Sequence, residues 1–179
     1  MSNKVIIAAA GSGKTTHLIE TALQARNAII LITTFTEENE KEIRTRFFER
    51  NGCIPSNVVI QTWFSFLLQH GVKPYQGYMY DKNIAGLVLV NGQSAFGSRE
   101  TDIERHYLTG DKKIYSDKIA KFACRCDERS NGAVISRLSK IYTHIFIDEV
   151  QDLAGYDLEF LDKLFLSPLE ILLVGDPRQ

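Results

Sequence analysis

The chain has 179 residues, 44% apolar and 24% charged, a balance that suits one ordinary globular domain and excludes a disordered or fibrous chain. Its formal net charge of -1 excludes bulk electrostatic attraction as the basis for a polyanionic partner, while leaving room for a local basic groove. The longest apolar runs, 5–10, 28–32 and 171–174, fall far short of the roughly 20 residues of a membrane span, so no membrane partner is expected.

The opening Met-Ser-Asn-Lys leads straight into an apolar segment, without the pattern of a signal or transit peptide, and a cytoplasmic location is the expectation. Cys53, Cys124 and Cys126 form no second ligand pair at zinc spacing, and read as reduced structural thiols.

In chain order, residues 4–8 predict a strand buried on both faces, as in a parallel sheet covered by helices. A glycine-rich turn follows, then a helix over 14–26 and a second buried strand over 28–33. Thr36 stands at a helix N-cap, with Glu37 and Glu38 in the first turn where the helix dipole favours negative charge. That helix is expected to end at Asn51-Gly52, and its mixed charges predict a solvated face. A third strand over 58–62 and a short helix over 63–70 come next. Residues 72–143 are less regular, with helical stretches near 116–127 and 133–141. Order returns with a strand over 144–147, a helix near 156–166 and a strand over 170–174. Alternating strands and helices predict an α/β fold with a parallel sheet. Since 72–143 is too long for a simple loop, the expected organisation is a core of 1–71 and 144–179 carrying a small, mainly helical inserted subdomain.

Three segments carry chemistry. Ala8-Ala9-Ala10-Gly11-Ser12-Gly13-Lys14-Thr15-Thr16 falls between a predicted strand and a predicted helix, the context of a phosphate-binding P-loop. Its glycines let backbone N–H groups of residues 10–16 wrap phosphate oxygens at a helix N-terminus. Lys14 would reach the β- and γ-phosphates of ATP, and the Thr15 hydroxyl would ligate Mg²⁺. The strict pattern has glycine where this chain has Ala8, a departure of little consequence for the phosphates while Gly11 and Gly13 remain.

The second segment, His144-Ile145-Phe146-Ile147-Asp148-Glu149-Val150-Gln151-Asp152, puts two carboxylates at the carboxyl edge of a parallel sheet, where such folds bind ligands. Asp148 is the candidate Mg²⁺ ligand and Glu149 the candidate that orients or deprotonates the attacking water. The third, Ile171 to Gln179, is another buried strand ending in a polar turn, from which Gln179 could meet the γ-phosphate or that water. Taken alone, Gly175-Asp176-Pro177 is also ordinary turn chemistry.

Together these segments resemble motifs I, II and III of UvrD/Rep-like superfamily 1 helicases, the Asp-Glu-x-Gln-Asp form of residues 148–152 being the discriminating part. Thr33-Thr34-Phe35-Thr36, followed by Glu42-Ile43 and Arg46, is similar to motif Ia. Gln61-Thr62-Trp63-Phe64-Ser65-Phe66 is similar to motif Ib, although the family more often has histidine where this chain has Trp63. The resemblance spans 5–179 apart from 72–143.

It implies the first RecA-like domain of a two-domain DNA motor that hydrolyses ATP while moving along single-stranded DNA. The implied strand contacts are Thr34, Phe35, Thr36, Thr62, Trp63 and Phe64, through hydroxyls on phosphates and aromatics under bases, with Trp63 the foremost of the aromatics and Phe64 and Phe66 more simply read as core packing of a short helix. Two departures lead to an expectation of a piece of a longer helicase. The adenine-reading segment upstream of the P-loop has no counterpart before residue 5. The second RecA-like domain, which brings an arginine to the γ-phosphate, would follow Gln179. In 72–143, Tyr75, Tyr78 and Tyr80 beside Lys73 and Lys82 are more simply packing and surface than a nucleic-acid contact. The competing functional class is a stand-alone P-loop NTPase switch or small-molecule kinase, which Asp-Glu-x-Gln-Asp and the motif Ia and Ib segments disfavour. A decayed, non-enzymatic module is disfavoured by intact Lys14, Thr15, Asp148 and Glu149.

Overall fold

In the computed structural model, residues 3–7 and 13–176 are described. Strand β1 (Lys4–Ile7) precedes helix α1 (Lys14–Gln24), followed by β2 (Ile30–Thr34), α2 (Glu37–Asn51), β3 (Val58–Thr62) and the short α3 (Trp63–Phe66). A π-helical segment, Leu67–Val72, continues α3 directly. Then come β4 (Gly86–Val88), α4 (Ile103–Tyr107), β5 (Lys113–Tyr115), α5 (Ser116–Arg129) and α6 (Ala133–Ile141). The chain returns to the sheet with β6 (His144–Ile147), α7 (Tyr156–Phe165) and β7 (Glu170–Gly175). Helix α2 starts as its sequence dictates: the Thr36 hydroxyl accepts the Asn39 N–H at 3.1 Å, and Gly52 ends it in the left-handed region at φ 74°. Only Ile43 and Phe47 of that helix are buried.

The main sheet is wholly parallel, in the order β1-β7-β6-β2-β3. Alternation sorts its residues onto two faces. Ile30, Ile32, Val58, Ile60, Phe146, Leu172 and Val174 pack with Leu18 and Ile19 of α1 and Ile43 and Phe47 of α2. Leu31, Ile145, Ile147, Ile171 and Leu173 face the other way, against Trp63, Phe66, Phe122 of α5 and Phe160 of α7. Buried residues from 72–143, among them Ile84, Tyr107, Ile114 and Leu138, belong to this second cluster.

Two expectations need correction. The first strand is not buried on both faces: β1 is an edge strand, and Val5 and Ile7 are 57% and 66% exposed, because the helices of their face cover β7 and β6 rather than β1. The helix expected over 63–70 splits into α3 and the π-helical segment. Within that segment Gly71 lies so close to α5 that an added Cβ would sit 2.8 Å from Ala123 Cβ. Buried His70 bonds to Arg137 at 3.3 Å and to the Tyr142 hydroxyl at 3.2 Å. Residues 72–143 are mainly helical and also hold a short parallel β4–β5 pair. Its tyrosines are tied locally: Tyr75 donates to the Ala133 carbonyl and Tyr80 to Glu104, which also pairs with Lys82.

Candidate nucleotide site

The carboxyl ends of β6 and β7 bring the candidate residues of distant segments together. Gly13 caps α1 at φ 83°, a conformation open to glycine at no steric cost, and so sets the helix N-terminus towards that edge. Lys14 and Thr15, in the first turn of α1, face the strand exits. The Thr15 hydroxyl donates to Asp148 at 3.1 Å, and the Lys14 ammonium lies 3.8 Å from Asp176. Lys14, Asp148 and Asp176 are all buried. Thr16 points elsewhere and accepts from Arg46 of α2 at 3.2 Å. Ala10, Gly11, Ser12 and Gln179 lie outside the described residues.

Burial pushes the Asp148 carboxyl above its usual range and the neighbouring Glu149 charge adds to this, while Thr15, the Glu149 N–H and Lys14 pull the other way. A buried carboxylate touching a threonine hydroxyl, with a raised pKa, is an oxygen pair short of positive charge. That donor set suits a hard divalent cation such as Mg²⁺. Among the described residues no group of three or more His, Cys, Asp or Glu side chains is arranged to hold a metal, so an ion at Asp148 and Thr15 would draw its remaining oxygens from phosphates and water.

Glu149 stands directly after Asp148 in the left-handed region, φ 56° and ψ 46°. Its N–H donates to the Asp148 carboxylate at 3.1 Å. Non-glycine residues in this region cost about 1–2 kcal/mol and cluster at functional sites. Thr33, whose carbonyl accepts the Asp148 N–H at 2.9 Å, and Thr34 end the neighbouring β2. Both of their hydroxyls are buried without a hydrogen-bond partner among the described residues.

The strand-contact candidates divide. Trp63 is fully buried, its indole N–H donates to Asp157 at 2.7 Å, and its ring meets Phe66 and Phe160. Thr34 is 1% exposed, and Thr62 is spent capping α3, where its oxygen accepts the Ser65 N–H. Trp63 and Thr34 are therefore corrected from surface contacts to interior residues, whereas Thr62, though largely buried, still lines the groove described next. The aromatic of this segment that faces outwards is Phe64. It pairs with Phe35 at 5.0 Å between ring centroids, and both line an open groove of about 970 Å³ with Thr36, Leu87, Leu89 and Tyr156. Its charged lining is acidic (Glu37, Glu38, Asp117, Asp152 and Asp157), with no lysine or arginine among the described residues.

Two participants escaped the sequence reading. Asp176 is the acid that Lys14 faces, and Gln151 accepts the Asp176 N–H through its side-chain oxygen at 3.0 Å. The Asp-Glu-x-Gln-Asp pattern contained Gln151, but only the closeness of the β6 and β7 exits gives it a partner.

No helix among the described residues is long and apolar enough to cross a membrane. A comparison with curated proteins finds no match. The profile of a family described as an AAA domain (AAA_19), found in UvrD/Rep-like helicases and related P-loop ATPases, matches residues 1–179. Together with the parallel sheet and the Lys14–Thr15 turn beside Asp148, this makes the chain a member of the AAA_19 family, a nucleotide-binding P-loop NTPase domain.

Proposed function

We propose that the chain is the ATP-binding motor domain of a UvrD/Rep-like DNA helicase. In the full-length protein it would couple ATP hydrolysis to movement along single-stranded DNA together with a second RecA-like domain, with 72–143 as an accessory insertion. The observation that carries the ATPase part is the contact between the Thr15 hydroxyl and Asp148 at 3.1 Å, which joins the P-loop helix to the acidic strand end. Lys14 would share its charge with the β- and γ-phosphates, leaving Asp176, and Thr15 and Asp148 would hold Mg²⁺. That ion, when bound, neutralises charge on the phosphoryl oxygens.

Hydrolysis adds a water oxygen to the γ-phosphorus, and the bond to the bridging oxygen of ADP breaks. Glu149 would orient that water and take its proton. The helicase part is supported by the motif order and by the groove of Phe35 and Phe64, where bases could stack without sequence preference. The acidic lining of that groove favours base stacking over phosphate contact as the main attraction. ATP turnover by the full-length protein, measured with and without single-stranded DNA, tests both parts. Stimulation that Glu149→Gln abolishes is the expected result. Turnover indifferent to DNA would leave an ATPase of another kind.

A further inference from the structure

One side chain bridges the exits of β6 and β7. Gln151 donates an amide N–H to the Glu149 carboxylate, and its amide oxygen accepts the Asp176 N–H at 3.0 Å. Glu149 is thus held at both ends, its N–H on Asp148 and its carboxylate on Gln151, in a backbone region that it would otherwise avoid. Gly175 makes room for the bridge, since a Cβ there would lie 2.7 Å from Gln151 Oε1 and 2.7 Å from Val150 Cγ1. Asp176, at the far end, is the residue beside Lys14. The contacts therefore run without a break from Glu149 through Gln151 and Asp176 to the phosphate-binding lysine.

We propose that Gln151 is a positioning residue for hydrolysis, aiming Glu149 through its amide donor and tying that aim to the β7 exit beside Lys14 through its amide acceptor. This rests on the nucleotide-hydrolase reading above. Only a carboxamide serves both ends, because it has a donor and an acceptor on one planar group. A glutamate in its place keeps the acceptor for Asp176, loses the donor and turns a like charge towards Glu149. An alanine loses both links.

Three measurements separate these roles: amide exchange at Asp176, affinity for labelled ADP, and single-turnover hydrolysis of ATP with protein in excess. Gln151→Glu is expected to keep Asp176 protected and ADP affinity within about threefold of wild type, while hydrolysis falls at least about tenfold, the scale of a mispositioned base. Gln151→Ala and Gly175→Ala are expected to lose Asp176 protection as well, at unchanged circular dichroism. Adding Gln151→Glu to Glu149→Gln is expected to cost nothing further. Wild-type hydrolysis in Gln151→Glu, an Asp176 amide still protected in Gln151→Ala, or an added loss in the double variant would each overturn the proposal and leave the hydrolase reading intact. A wild type that binds no ADP, or binds it as well after Lys14→Ala, would overturn that reading and the proposal with it.

Discussion

At the scale of single residues, neighbours decide which of two similar side chains is available. Trp63 and Phe64 are adjacent, yet one is enclosed by Phe66, Phe160 and Asp157 and the other faces the groove. Tryptophan emission, from the chain's one tryptophan, is expected to be blue-shifted, shielded from acrylamide and unchanged by an oligonucleotide. Phe64→Ala, by contrast, is expected to remove oligonucleotide binding at low salt while leaving the melting temperature near wild type. Trp63→Phe keeps most of the packing but strips the half-buried Asp157 carboxylate of its indole donor, and urea unfolding should show a loss of about 1 kcal/mol. Lys14→Ala removes a charge-assisted phosphate contact, and calorimetry with Mg²⁺–ADP should show affinity lower by roughly 10–100-fold, the equivalent of about 1.5–3 kcal/mol. The lysine and the two acids were legible because each stands in a local pattern. The burial of Trp63 was not, because two of the groups that enclose it, Phe160 and Asp157, come from α7, far along the chain.

At the scale of elements, the five strands of the main sheet and the cap of α2 could be read locally, since apolar runs and a threonine before acids need no distant partner. Strand order could not, and so the exposure of β1 was missed. The π-helical segment also depends on a remote contact, Gly71 against Ala123, and Gly71→Ala should destabilise the fold by about 1–3 kcal/mol through overpacking. The same segment carries a pH dependence. Burial, and then the Arg137 charge, lower the His70 pKa from 6.5 to about 4. The unfolded chain therefore takes up this proton more readily than the folded one. The associated stability is full above the ordinary histidine value and falls as pH drops from 6.5 towards about 4. Between about pH 7.5 and about pH 5 the loss from this group is roughly 2 kcal/mol. Urea unfolding at the two pH values should show it in wild type and not in His70→Gln.

At the scale of the whole molecule, the apolar cluster that runs from the sheet through α7 and α5 into 72–143 leaves no clean plane along which the chain could part. Calorimetry should therefore record one transition, with an enthalpy of about 125 kcal/mol at the usual value per residue. Two separated transitions would show that 72–143 melts on its own. Shared packing also has a consequence for ligand linkage. A nucleotide held at Lys14 would sit at the exits of β6 and β7, in other elements than α5, yet the innermost amides of that helix would exchange only when the whole cluster opens. Saturating ADP stabilises the closed state by mass action, about 2.7 kcal/mol at a hundredfold excess over its Kd, and should slow exchange in the middle of α5 by about a hundredfold. A helix remote from the phosphates would then report their occupancy as a rate.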